Sequence, residues 1–258
     1  MSWEKRKIHI KNSAEIEIMR EAGRINATVH ATVREMLKPG VTTADLNAAA
    51  EEVLRKHNAT SPFKNYPGPY PFPASITVCI NEELVHGIPS AKRRLKDGDV
   101  VSIDCGTFFG GFVADSAFST GVGRLPKKAQ NLVDVTEGAL MAGIDKMRSG
   151  NRTGDVSAAI QKYVESRGFY LTREYTGHGV GRKMHEAPQV PNYGTAGRGL
   201  LLRPGVTIAL EPMVLVGTAR TKVLADQWTV ISADRSLTAH HEHTIAVTEG
   251  EPLILTVL

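Results

Sequence analysis

Four carboxylates stand where carboxylates are costly. Asp104 ends the apolar run 100–103, and Asp115 follows it across Gly110-Gly111. Glu211 lies between Ala209-Leu210 and Pro212-Met213, and Glu242 directly precedes the strand-like run 243–247. An acid inside an apolar strand is unfavourable unless something neutralises it. Each acid alone reads as well as a surface charge or an ion-paired group. Four of them converging would repel strongly, so they must take up protons or bind cations. Two divalent cations balance four carboxylates. Oxygen ligands suit hard or borderline ions, and a histidine ligand shifts the preference toward manganese, iron, cobalt or zinc. That histidine is on offer in Thr176-Gly177-His178-Gly179-Val180-Gly181-Arg182-Lys183-Met184-His185-Glu186. Glycines on both sides of His178 let a backbone come close to an ion. The spacing of His178 and His185 is not the i, i+4 spacing of a helical zinc pair, so the two have different tasks.

Such residues need rigid elements to bring them together. Asn12 or Ser13 caps a helix whose apolar face runs Ile18, Ala22, Ile25, Val29, Val33 and Leu37, ending at Pro39-Gly40. Thr42 and Asp45 have capping-box spacing for a second helix reaching about His57. Residues 61–73 hold five prolines, four aromatics and a glycine, which excludes regular structure. The interleaved Phe63, Tyr66, Tyr70 and Phe72 suit a packed loop lining a cavity better than an exposed polyproline ligand. Strands are expected at 75–80, 100–105 and 111–119, helices at 126–148 and 153–167 (capped by Thr153, stopped by Gly168), and strands at 206–211, 228–232 and 243–247. The 100–105 and 111–119 strands would form a hairpin, whose pleat can put Asp104 and Asp115 on one face.

The chain also repeats its plan. Lys38-Pro39-Gly40 through Asp45 aligns with Arg148-Ser149-Gly150 through Asp155, and Leu95 through Asp104 aligns with Leu202 through Glu211. His86-Gly87-Ile88-Pro89 aligns with His185-Glu186-Ala187-Pro188, and Ala114-Asp115 loosely with His241-Glu242. Four matches in one order predict a pseudo-symmetric α+β sandwich with its site where the halves meet.

The totals exclude other classes. Of 258 residues, 41% are hydrophobic and 22% charged, which fits neither a disordered chain nor a membrane protein. No apolar run reaches the roughly 18–20 residues of a spanning helix. The segment 1–10 has no apolar signal region, so a cytoplasmic protein is expected. The net charge of +4 comes from short clusters, Lys5-Arg6-Lys7, Lys92-Arg93-Arg94 with Lys96, and Lys127-Lys128. These read as solvated surface, with weak contact to RNA or an acidic surface as the alternative. Cys79 and Cys105 sit in apolar runs and read as buried reduced thiols.

Leu84-Val85-His86-Gly87-Ile88-Pro89, Asp104 with Asp115, Gly177-His178-Gly179-Val180-Gly181-Arg182 with His185-Glu186, Leu210-Glu211-Pro212-Met213 and Glu242-His243-Thr244 together resemble the type I methionine aminopeptidases. The motifs keep the family's order from about Ile16 to Val247. The resemblance implies the pita-bread fold, a pseudo-twofold duplicated α/β sandwich with antiparallel sheet and a dinuclear metal site at its centre. It implies one catalytic domain over 1–258, in the short form without an N-terminal extension. The implied activity removes the initiator methionine from peptides and nascent proteins when the second residue is small.

Carried over by position, Asp104, Asp115, His178, Glu211 and Glu242 resemble the five ligands of two divalent ions (Co²⁺, Mn²⁺, Fe²⁺ or Zn²⁺), Asp115 and Glu242 bridging. His86 and His185 resemble the two non-ligand histidines that hold substrate. Divalent ions lower the pKa of water to roughly 7. Glu211 can take the water's proton and pass it to the leaving amine. His185 can donate to the developing oxyanion. Phe72, Thr77, His86, Met184 and Trp228 fall at or near the methionine-pocket positions, with His185 beside the substrate. Thr77 replaces a frequent cysteine, Met184 an aromatic, and His240-His241 a glutamine and an aromatic. The resemblance also implies a monomer that meets nascent chains, with weak ribosome association. The alternatives are a proline-specific peptidase on the same fold, a non-catalytic relative that has lost ligands, and a cysteine hydrolase using Cys79 or Cys105. Met-Ala against Ala-Pro peptides, a ligand count, and chelators against thiol reagents separate them.

Overall fold

A computed structural model describes residues 8–258, so Lys5, Arg6 and Lys7 lie outside the described residues. Helix α1, Ser13–Glu35, opens with a capping box. The Asn12 side chain accepts from the Glu15 N–H, and the Glu15 carboxylate accepts from the Asn12 N–H. Two of the helix's unpaired donors are thereby satisfied, at a gain of about 1 kcal/mol. Helix α2, Thr43–Lys56, repeats the device with Thr42 and Asp45. Ile25, Val29 and Val33 of α1 join Leu46, Ala50 and Leu54 of α2 over Val78, Val101 and Ile103, a core closed to solvent.

The sheet beneath these helices orders strands Thr77–Ile80, Val100–Phe109 and Phe112–Gly121. The second half has the same plan. Helices α3, Lys127–Ile144, and α4, Thr153–Glu165, cover a five-stranded sheet. Its strands, from one edge to the other, are Leu253–Ile254, His243–Ala246, Thr207–Leu210, Gly177–Gly179 and Glu186–Val190. Leu132, Leu140, Val156 and Ile160 pack there on Ile208, Leu210 and Ile245. Each half thus owns a helix-on-sheet core, and the sheets meet between them.

Several bounds differ from expectation for local reasons. The first strand starts at Thr77 because the Ser75 and Ile76 N–H groups donate to the Asn47 side chain. The α4 cap is Arg152, not Thr153. Asp155 accepts from the Arg152 N–H, while the Thr153 hydroxyl, already in the helix, accepts from the Leu200 N–H. Helix α3 stops at Ile144, short of residue 148. The strand expected at 228–232 spans Val230–Ser232, because Asp226 binds the Trp228 and Thr229 N–H groups in a turn. Arg93 is not free surface charge: it pairs with Glu83 and donates to the carbonyls of Val78 and Ile88. No helix among the described residues is long and apolar enough to cross a membrane.

Candidate metal centre and substrate cavity

Backbone register brings the acids together. In the hairpin 100–121, Gly110 and Gly111 take φ of 57° and 85°, the left-handed conformations that a tight turn requires. Gly106 then faces Asp115 and Asp104 faces Ala117, which puts both carboxylates on one face as diagonal neighbours. Thr77 lies directly opposite Asp104 on the adjoining strand. In the other half His178 faces Ala209, and Glu211 follows the strand that ends at Leu210. A side chain at position 177 would meet the Ala209 carbonyl at 2.7 Å, so only glycine lets the His178 strand approach this closely. The halves are stitched at the acids. Ala117 bridges Glu242, and Thr244 Oγ1 accepts from the Asp115 N–H and donates to the Asp115 carbonyl.

The result is a dense, poorly solvated cluster. Asp115 and Glu242 are each 2% exposed, while Asp104 and Glu211 are partly open to the cavity. His178 Nε2 is 3.4 Å from Glu211 Oε1 and 3.8 Å from Asp115 Oδ2. His178 Nδ1 lies 3.0 Å from the Gly179 carbonyl and donates to it, which leaves the Nε2 lone pair facing the acids. Ligand atoms of Asp115, His178 and Glu242 all lie within 4.8 Å of one another. Burial pushes the Asp104 carboxyl up to about 8. Burial also pushes Asp115, Glu211 and Glu242 well above the carboxylate range, and the neighbouring acids add to the rise. Burial holds the His178 and His240 imidazoles down at about 3, so both are neutral, the form that ligates. Asp104 Oδ1, Asp115 Oδ1, Glu242 Oε1 and His240 Nε2 are buried with no hydrogen-bond partner. Acids that cannot all ionise, orphaned oxygens and a neutral imidazole fit divalent cations.

A cavity of about 210 Å³ opens onto this cluster, and the residues named from the sequence as metal ligands, substrate-holding histidines and methionine pocket all line it. Its acidic end holds Asp104, Asp115, His178, Glu211 and Glu242, and its other walls include Phe72, Thr77, His86, Met184, His185 and Trp228. His86 takes φ of 60°, a conformation uncommon for a residue with a Cβ, and its ring stands edge-on to Trp228 at 6.2 Å. Trp228 also meets Phe72 edge-to-face at 5.2 Å and 76°. Its Nε1 is buried without a partner. The proline-rich loop lines the cavity through Phe63, Tyr66 and Phe72, but Tyr70 is exposed outside it, where its hydroxyl donates to the Asp226 carbonyl and its ring stands edge-on to Trp228. The thiols of Cys79 and Cys105 are free, buried and outside this cavity, and burial raises both above the ordinary thiol range. A thiolate nucleophile has no place here.

Tyr66 and His240, to which the sequence assigned no catalytic or ligand role, also face the cavity. Tyr66 places its hydroxyl 2.7 Å from His185 Nδ1, and the two rings meet edge-on at 5.5 Å. His240 places Nε2 3.8 Å from Glu211 Oε2 and 3.8 Å from Glu242 Oε2.

Residues 17–249 match metallopeptidase family M24. A methionine aminopeptidase of Clostridium acetobutylicum is 47% identical over 97% of this chain and 99% of its own. The crystal structure of a methionine aminopeptidase from Thermotoga maritima superposes with a TM-score of 0.95 at 43% identity, over 98% of this chain and all of that one. A prolidase from Pyrococcus horikoshii shares the fold with a TM-score of 0.76 at 21% identity, matching 96% of this chain and 63% of its own. The chain belongs to metallopeptidase family M24, a family of metal-dependent hydrolases with the pita-bread fold. Within it, the close full-length relatives are methionine aminopeptidases.

Proposed function

We propose that this chain is a methionyl aminopeptidase using two divalent ions, held by Asp104, Asp115, His178, Glu211 and Glu242, to remove an N-terminal methionine that precedes a small residue. The observation that carries the reading is the shared cavity: the acids and the apolar, aromatic pocket line one space. Bound divalent ions supply Lewis acidity and bring the pKa of water near 7. Glu211, part of the acidic cluster and open to the cavity, takes a proton from the attacking water and returns it to the leaving amine. His185, with Nδ1 engaged by Tyr66, presents Nε2–H to the carbonyl oxygen as negative charge develops. His86 lies on the pocket side against Trp228 and holds the substrate backbone. Phe72, Thr77, Met184 and Trp228 receive the methionine side chain, which is unbranched, flexible and able to make sulfur–aromatic contacts of about 0.3–1.5 kcal/mol. The native ion is one of Co²⁺, Mn²⁺, Fe²⁺ or Zn²⁺. A monomer acting on nascent chains in the cytoplasm, with weak ribosome association, completes the proposal. Salt-sensitive co-sedimentation with ribosomes, lost on charge reversal of Lys5, Arg6 and Lys7, tests that last part.

The function is tested with X-Ala-Ser and Met-X-Ser peptides under one metal. Met-Ala-Ser is cut fastest, norleucine is cut more slowly, and leucine is poor, by the roughly 10–200-fold that an apolar pocket can discriminate. Lys, Leu or Phe at the second position is refused. Equal rates on Leu-Ala-Ser and Met-Ala-Ser overturn the pocket, and preference for Ala-Pro peptides favours a proline-specific enzyme instead.

A further inference from the structure

His240 belongs to neither the five proposed ligands nor the methionine pocket, yet its ring is fixed against the acids. It ends strand Thr238–His240, where it pairs with Met213, two residues beyond Glu211. Its backbone is locked from both sides: the His240 N–H donates to Ser119 Oγ, and Ser119 Oγ–H donates to the His240 carbonyl. The residue is 2% exposed, so solvent does not satisfy the ring. Nε2 has no hydrogen-bond partner. It stands 3.8 Å from Glu211 Oε2 and 3.8 Å from Glu242 Oε2, too far for a hydrogen bond to either. An orphaned buried nitrogen is unfavourable, so its aim at two carboxylates needs a reason. A cation at about 2.0–2.2 Å from the nitrogen and from a carboxylate oxygen spans a separation of 3.8 Å.

We propose that His240 Nε2 is a further ligand, supplying a second imidazole to the ion that Glu211 and Glu242 share. This rests on the proposed reading of the acids as a two-ion site and adds to it. A second imidazole makes one of the two positions richer in nitrogen. Nitrogen donors favour Fe²⁺, Co²⁺ and Zn²⁺ over Mn²⁺. His240 therefore tunes which metal the site retains, and the two positions differ in selectivity as well as affinity.

The test counts imidazoles rather than turnover. Wild type and the His240→Gln and His240→Ala variants are loaded with Zn²⁺ or Co²⁺ and studied by X-ray absorption. Parallel competition titrations with Co²⁺ and Mn²⁺ measure affinity, and near-UV circular dichroism verifies the fold. Wild type should show two imidazoles per pair of ions, and both variants one. The weaker Co²⁺ site should lose about tenfold or more in affinity, with Mn²⁺ affected less. One imidazole in wild type, or the same count in wild type and a folded variant, overturns the assignment. If wild type binds no divalent ion at all, the two-ion reading falls with it. If neither variant folds, wild type alone decides by its count, since one imidazole refutes the proposal and two support it.

Discussion

Replacing Tyr66 by phenylalanine isolates a contact that the catalytic proposal depends on. The phenol oxygen is 2.7 Å from His185 Nδ1, and the rings already meet edge-on, so phenylalanine keeps the packing and removes only the hydroxyl. If His185 is to present Nε2–H to an oxyanion, its Nδ1 must be the acceptor, and the Tyr66 hydroxyl holds it in that tautomer. A neutral hydrogen bond of this kind is worth about 1–1.5 kcal/mol, which converts to a loss of about 5–13-fold in kcat with KM nearly unchanged. Removing the donor itself, in His185→Ala, should cost about 10²–10³. The decisive assay is the double-mutant cycle on Met-Ala-Ser at saturating metal, with bound metal measured in each variant. In the His185→Ala background, Tyr66→Phe should cost clearly less, because the ring it orients is gone. The same cost in both backgrounds, or loss of metal from Tyr66→Phe, refutes the positioning argument.

Glu211→Gln should retain some metal yet lose about 10²–10⁴ in kcat, because an amide cannot carry the proton; wild-type turnover in a variant of full metal content would remove Glu211 from that role. Protein stripped of metal should lose stability as pH rises from about 6.5 to 8. The buried histidines at positions 30, 86, 178, 240, 241 and 243, held at about 3–4, are neutral in the fold but still shed protons in the unfolded chain above pH 6.5, an opposing gain of about 0.4 kcal/mol each. Asp115, Glu211 and Glu242, raised like Asp104, outweigh that gain together with it. Asp104, raised to about 8, is protonated in the fold and ionised in the unfolded chain, so it alone removes about 1.5 kcal/mol across that window. Urea midpoints that stay flat or rise with pH in the stripped protein contradict this. Gly68→Ala places a Cβ 2.3 Å from Trp228 Cζ2, so the pocket wall must shift; KM for Met-Ala-Ser should rise with metal content unchanged, and unaltered kinetics would show that the loop yields instead.

The acids were legible because each breaks an apolar strand, and a carboxylate in such a run needs a partner. The hairpin was legible from Gly110-Gly111, and the first two helices from capping boxes at Asn12 and Thr42. The helix α4 cap was misread because Thr153 is a good capping type, whereas the box is built from the Arg152 backbone and Asp155. Short pieces such as Gly177–Gly179 and Met213–Leu215 show no alternation, so only their partners make them strands. Tyr66 and His185 lie 119 residues apart, and no local pattern marks their contact. His240 could be seen as unusual beside Glu242, but the aim of its ring comes from the Ser119 clamp, a tertiary feature.

The central claim is that ions in the acidic cluster and hydrolysis of an N-terminal methionine are one and the same site. One titration tests it: strip the protein with chelator, add back Mn²⁺ or Co²⁺, and measure bound ions and Met-Ala-Ser turnover on the same samples. The expected result is no turnover in the stripped protein, recovery with added metal, and saturation of binding at two ions per chain. Full turnover in excess chelator, with no metal bound, would contradict it.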